Sequence, residues 1–271
     1  MALIPPFYLN CVVSIGIDTP QNELLWIGTG FIVGRPIDNG GDDDKRYHTF
    51  LVTNKHVLQE KKKIFLRFNT IEGSQVKDYP VELEPKNEPI WVGHNSKDID
   101  VAAFNINPEV LKNDSVAYAF FHLDKHALSV SEMQKNNLSE GDGLFVLGFP
   151  MGIVSTLSNH VISRSGSIAR IRDLLSNRAS AFLIDANIFP GNSGGPVVIR
   201  PEIIAIEGTT AYKNASLIGM VKSYVPFTDV AISQQTGRPR VTFEENSGLA
   251  LVETVDSIKE TVELCYKQKI V

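Results

Sequence analysis

"FPGNSGGPVV" (residues 189–198) sets three glycines and two prolines around one serine, Ser193. This density of Gly and Pro excludes a helix interior, and a flexible linker would not end in Val-Val. The stretch therefore reads as a tight, pre-shaped turn leading into a buried strand. Glycine permits positive φ and close backbone approach, while proline freezes φ and removes a donor. A turn of this kind presents Ser193 at a fixed angle, with neighbouring N–H groups directed outward.

The rest of the sequence agrees with a strand-rich setting. Short, β-branched apolar runs bounded by turn residues recur along the chain: "CVVSIGI" (11–17), "LWIGTGFIV" (25–33), "TFLVTN" (49–54), "KIFLRF" (63–68), "DVAAFNI" (100–106) and "GLFVLGF" (143–149). They continue with "HVISRSGSIARI" (160–171), "AFLIDA" (181–186), 197–199, "LIGMVKSYV" (217–225) and "GLALVETV" (248–255). Many short strands separated by turns predict an all-β barrel or sandwich. One helix is expected, "DSIKETVELCYKQK" (256–269), with Val255, Ile258, Val262 and Cys265 on one stripe and Ser257/Glu260 in capping-box form. The polar stretch 125–142 is read as the link between two β units. "NGGDDDKR" (39–46), with Asp42-Asp43-Asp44, is read as a solvated surface loop rather than a cation site.

Composition narrows the function classes. The 271 residues are 43% hydrophobic and 21% charged, with a formal net charge of −5, an ordinary globular balance. No Lys/Arg block offsets the acidity, so nucleic acid is not expected as a principal ligand. No apolar run approaches bilayer-spanning length, and Pro5-Pro6 interrupts an N-terminal stretch that lacks a basic start, so neither a membrane span nor a secretory signal is expected. The two cysteines, Cys11 and Cys265, have no metal-like spacing and read as buried thiols in a reducing compartment. The expected location is cytoplasmic.

A serine hydroxyl is a weak nucleophile and needs a base, usually a histidine oriented by a carboxylate. His56 follows the apolar run of "LVTNKHVL" (51–58), and Asp100 stands at the mouth of "DVAAFNI". Asp98 competes with Asp100 but lies one residue pair further from the apolar run and is expected to face solvent. Taken singly, each position also reads as an ordinary turn or strand-end residue.

Taken together, "GTGFIV" (28–33), "LVTNKHVL", "DVAAFNI", "GDGLFVLGFPMG" (141–152) and "FPGNSGGPVV" resemble, in this order, the trypsin-like (chymotrypsin-fold) serine peptidases, most of all the bacterial HtrA-like branch. The likeness runs from about residue 11 to 268. It implies two six-stranded β barrels, an N-terminal one (1–125) carrying His56 and Asp100 and a C-terminal one (126–271) carrying Ser193 and the terminal helix. It implies a serine endopeptidase with a His56–Asp100–Ser193 triad, an oxyanion hole from the N–H groups of Gly191 and Ser193, protein or peptide substrates, and no cofactor or metal. It places Asn187 near the floor of the primary pocket, Lys222, Ser223 and Tyr224 along one wall and Gly248 on the other. A neutral floor disfavours cleavage after Lys or Arg, although an insertion at 200–215 could bring Glu207 close.

Two departures bear on control. Asn192 stands where secreted relatives carry the aspartate that receives a newly cut N-terminus, so activation by cleavage is not expected. The residues after Ser193 suffice for a barrel and a helix but not for the PDZ domain usual in the HtrA-like branch. The alternative to an enzyme is a catalytically silent or partner-gated protein of this fold acting as a peptide-binding scaffold. A polyprotein-processing protease of viral type shares the fold and ranks lower. A regulatory partner and the oligomeric state are left open.

Overall fold

The computed structural model describes residues 3–37, 45–73, 75–202, 206–207 and 211–270. The acidic run Asp42-Asp43-Asp44 and part of the 200–215 segment lie outside the described residues.

The first half builds β1 (Val12–Asp18), β2 (Leu24–Pro36), β3 (Tyr47–Thr53), β4 (Lys63–Asn69), β5 (Val76–Glu82), β6 (Val92–Gly93), β7 (Ala102–Asn105) and β8 (Phe121–His122). The second builds β9 (Gly143–Gly148), β10 (Ile162–Arg170), β11 (Ala181–Asp185), β12 (Pro196–Ile199), β13 (Ser216–Ile232) and β14 (Pro239–Thr254), followed by a helix over Val255–Lys269. Strands β9–β14 close into a six-stranded barrel in the order β10-β11-β14-β13-β12-β9. The first half is an eight-stranded sheet, β5-β4-β1-β2-β3-β7-β6, with β8 added in parallel to β2. It differs from a closed six-stranded barrel because β6 and β8 are only two residues long and pair along single neighbours.

Alternation explains the strands. In β4 the order Ile64, Leu66, Phe68 buries every second side chain while Lys63, Phe65 and Arg67 face outward. The first sheet and the barrel each enclose a cluster of their own. A third cluster joins them, drawing Phe31, Phe50 and Val52 from the sheet, Phe149, Val198 and Met220 from the barrel, and Ile258, Val262 and Cys265 from the helix. The helical stripe read from the sequence is therefore the face that locks the two halves together. Its N-cap is Thr254, whose hydroxyl accepts the Ser257 N–H at 3.2 Å, one turn before the predicted Ser257/Glu260 box. The box sits instead in the 125–142 connection, between Ser129 and Glu132, and starts a short helix at Val130–Lys135.

Strands β13 and β14 run far beyond the barrel. From Pro226↔Asn246 to Ile232↔Pro239 they pair only with each other, as a projecting two-stranded ribbon. The sequence reading ended these strands at Val225 and Gly248; beyond them polar residues such as Thr228, Asp229, Arg240, Thr242 and Glu244 break any apolar run of strand length, because neither face of the ribbon is covered.

Candidate active site

His56 is placed by the end of β3. The strand stops at Thr53, Asn54 takes the extended N-cap position, and one helical turn, Lys55–Leu58, lifts the imidazole to an exposed position. Buried Asn54 fixes the facing loop by donating from Nδ2 to the Asp100 carbonyl at 2.7 Å. The Asp100 carboxylate then meets His56 twice, Oδ2 against the ring Nδ1 at 2.5 Å and Oδ1 accepting the His56 main-chain N–H at 3.2 Å. Burial alone would raise the Asp100 carboxyl. The ring hydrogen bond, the attraction of His56 and the N–H groups of His56 and Lys55 outweigh it and hold the group below the usual carboxylate range. Asp98 is exposed and makes no contact with His56 among the described residues.

Ser193 comes from the other half. Gly191 and Gly194 both have positive φ, +96° and +82°. A Cβ at Gly191 would run into the Phe149 carbonyl oxygen, and one at Gly194 into the Thr29 carbonyl and the Thr53 hydroxyl, so both positions require glycine. Every carbonyl from Phe189 to Ser193 is occupied. Phe189 O accepts Asn192 N–H (3.0 Å), Pro190 O accepts Met151 N–H (2.6 Å), Asn192 O accepts Gly195 N–H (2.8 Å) and Ser193 O accepts Thr29 N–H (2.9 Å). Gly191 O accepts the Thr29 hydroxyl at 2.6 Å. In a trans peptide the N–H points opposite to the C=O. The Pro190–Gly191 and Asn192–Ser193 planes are therefore pinned by their carbonyls, and the N–H groups of Gly191 and Ser193 donate to nothing among the described residues.

Thr29 was not singled out in the sequence, yet it joins the halves. Its N–H and hydroxyl hold the Ser193 and Gly191 carbonyls, its hydroxyl also accepts the Phe149 N–H at 3.1 Å, and its carbonyl accepts the Thr53 hydroxyl at 2.8 Å. Ser193 is thus seated on β2 beside the end of β3 that leads to His56. The Ser193 hydroxyl itself makes no hydrogen bond among the described residues, to His56 or elsewhere; catalytic contacts of this kind commonly tighten only around substrate. Asn192 is fully buried, and its Oδ1 accepts the Phe189 N–H at 3.2 Å, so the position is used inside the turn.

The residues assigned to the primary pocket are more dispersed. Asn187 is exposed, and its carbonyl accepts Arg164 Nη1 at 3.0 Å. The Asn187 and Asp185 carboxamide and carboxylate oxygens lie 3.8 and 3.9 Å from where a Cβ on Gly248 would stand, which brings Gly248 and Asn187 together and adds Asp185. Tyr224 donates its hydroxyl to Glu244 at 2.6 Å, and Ser223 pairs opposite Leu251. Lys222 sends its side chain to Glu253 at 3.0 Å and to the Asp98 carbonyl. Glu207 is exposed.

A closed barrel packed on a second sheet, with a serine in a glycine turn on the barrel and a His–Asp pair on the sheet, is the arrangement of a trypsin-like peptidase. The trypsin-like peptidase domain family matches residues 28–202, and the chain belongs to it. Among curated proteins it is 26% identical over 208 residues, 75% of the chain, to the "probable periplasmic serine endoprotease DegP-like" of Chlamydia pneumoniae. It is 27% identical over 225 residues, 82% of the chain, to the "putative serine protease HhoA" of Synechocystis sp.. These matches cover 33% and 46% of the two relatives, so the chain spans less than half the length of either. Among solved structures, the MamO protease domain of Magnetospirillum magneticum in its apo form aligns with a TM-score of 0.48 at 15% identity, over 93% of this chain and 96% of that one.

These relatives overturn one expectation. The DegP-like proteins of Chlamydia pneumoniae, Chlamydia trachomatis and Chlamydia muridarum are all named periplasmic, against the cytoplasmic location read from the cysteines and the N-terminal stretch. The physical reason lies in the thiols. Both are fully buried and free, and burial raises both, Cys265 to about 11, so they act as core packing and carry no information on redox compartment.

Proposed function

We propose that the chain is a serine endopeptidase in which Ser193 is the nucleophile, His56 its general base and acid, and Asp100 the group that orients His56. Residues 1–125 and 126–271 are then the two halves of one protease domain, with protein or peptide substrates bound in the cleft between them. The observations that carry this reading are the serine turn, with all five carbonyls from 189 to 193 engaged and the N–H groups of Gly191 and Ser193 donating to nothing among the described residues, and the His56–Asp100 pair.

In the reaction, Ser193 Oγ attacks the scissile carbonyl carbon while its proton passes to His56 Nε2. The Asp100 carboxylate, bonded to Nδ1, fixes the tautomer that leaves Nε2 free and stabilises the imidazolium. The negative charge that develops on the carbonyl oxygen is received by the Gly191 and Ser193 N–H groups, which need no reorganisation because their peptide planes are already held. The tetrahedral species collapses as His56 gives its proton to the leaving amine. Water then attacks the ester through the same base and releases the acid product and Ser193. A silent scaffold would not need this set complete.

For specificity, Asn187 and Gly248 with the strand Lys222-Ser223-Tyr224 form the primary pocket, which takes uncharged side chains. A substrate cation would meet the Arg164 guanidinium bonded to the Asn187 carbonyl, which opposes the attraction of the Asp185 carboxylate beside Gly248, and cleavage across a peptide library would reveal any contrary preference for Lys or Arg. The test of the reaction class is labelling with a fluorophosphonate, comparing the native protein with Ser193→Ala and His56→Ala. Labelling confined to the native protein is expected; equal labelling of Ser193→Ala refutes the assignment.

A further inference from the structure

Glu253 lies in β14 with none of its surface exposed, although it is a carboxylate between Val252 and Thr254 in the wall of the barrel. A buried carboxylate is costly unless it is paired and hydrogen-bonded. Its partners are unusual in where they belong. Glu253 Oε1 accepts the main-chain N–H of Asp100 at 2.8 Å, and the same oxygen pairs with Lys222 Nζ at 3.0 Å. Glu253 Oε2 has no partner among the described residues.

Lys222 reaches this point because of a bulge. The β13–β14 register steps from Val221↔Val252 to Ser223↔Leu251, so Lys222 is the extra residue with no residue opposite it. Bulges of this kind re-aim a side chain. Here the ammonium is aimed at Glu253 and at the Asp98 carbonyl. Two barrel residues thus grip the 96–100 loop of the other half at Asp98 and Asp100. From its own half the loop is held by Lys55 Nζ on the Ser96 carbonyl (2.7 Å) and Asn54 Nδ2 on the Asp100 carbonyl (2.7 Å). Burial and Lys222 lower the Lys55 amine while Asp100 and Glu253 oppose them, which marks these four charged groups as one cluster.

We propose that Glu253, with Lys222, is a positioning residue that clamps the Asp100 loop onto the barrel and so sets the His56–Asp100 pair relative to Ser193. The inference rests on the triad reading above. Its physical basis is that the triad is split between two separately built sheets, and a misplacement of about 1 Å between reacting groups can cost about 100-fold in rate. The clamp is the polar tie at the point where that registration matters, and an apolar contact would not fix it in direction.

The experiment measures fluorophosphonate acylation, separating the limiting rate constant from the half-saturating concentration, together with the NMR resonance of the His56 Nδ1 proton. Glu253→Ala is expected to lower the limiting rate about 10- to 100-fold at unchanged half-saturation, and to shift or broaden the Nδ1 proton. Glu253→Gln, whose amide oxygen can still accept the Asp100 N–H, is expected to restore most of the rate. If Glu253→Ala does not fold, Glu253→Asp carries the test, because it keeps the charge but falls one methylene short of Asp100. A folded Glu253→Ala or Glu253→Asp with native acylation and a native Nδ1 resonance overturns the clamp and leaves the triad standing. Equal acylation of the native protein and Ser193→Ala instead overturns the triad, and the clamp with it.

Discussion

Two segments leave the same barrel and are held in opposite ways. The serine turn, 189–196, has every carbonyl from Phe189 to Ser193 bonded, two glycines at positive φ, and Thr29 of the other half holding two of its peptides. Among the described residues, the main chain of the ribbon beyond Pro226 and Asn246 is hydrogen-bonded only within itself, and a side-chain bond, the Tyr224 hydroxyl on Glu244, ties it to the barrel. Pairing puts Phe227, Phe243 and Val241 on one of its faces, and they are 59%, 54% and 50% exposed. One segment spends the fold's contacts on directing two N–H groups; the other is a two-stranded hairpin of the kind that is marginal on its own. The contrast locates the precision of the molecule at the junction of sheet and barrel, around Thr29, Asp100 and Ser193.

The largest expected effect lies on the sheet side of that junction. Asp100→Asn should lower acylation and turnover about 10,000-fold, by analogy with the same change in the serine-protease triad, by favouring the wrong imidazole tautomer. Asp98→Asn should be mild, because the hydrogen bonds of Asp98 among the described residues come from its main chain, the carbonyl to Lys222 and the N–H to Ser96. Kinetics of the two variants side by side decide the point, and the reverse ranking would remove Asp100 from its role.

On the turn itself, Gly191→Ala forces a side chain onto a φ of +96° and against the Phe149 carbonyl. The Pro190–Gly191 plane would have to rotate, and one donor of the proposed oxyanion hole would be lost, at an expected cost of about 100- to 1,000-fold in rate. Thr29→Val should act in the same direction through the Gly191 carbonyl and Phe149 N–H, both of which lose the threonine hydroxyl. Rates measured on folded variants that stayed native would show that the turn is held by something other than these bonds.

The smallest effect is expected at the ribbon. Replacing 227–245 with a short turn should shift Tm by no more than about 2–4 °C, the size of a 1 kcal/mol change in a chain of this class. A calorimetric loss well beyond that would show the ribbon to be part of the cooperative fold and would blur the comparison.

The sequence by itself determined the elements that local chemistry dictates. Alternating β-branched runs specify strands such as β4, and the Gly-Pro punctuation of 189–196 specifies a turn with a serine at its apex, because φ permissions are a property of the residues. His56 just after β3, Asp100 just before β7 and Ser193 in the turn before β12 could be singled out because each stands at a strand boundary, and the resemblance of the joined motifs supplied the proposed triad. Thr29 and Glu253 were not legible, since a threonine and a glutamate within strand patterns carry no local mark of their partners. Their meaning arises only when β2 is laid against the serine turn and β14 against the Asp100 loop, 164 and 153 residues away in sequence. The compartment was misread for a related reason. Buried thiols were expected, but thiols shielded by the packing of sheet, barrel and helix stay unreactive in either compartment, so Cys11 and Cys265 could not report one.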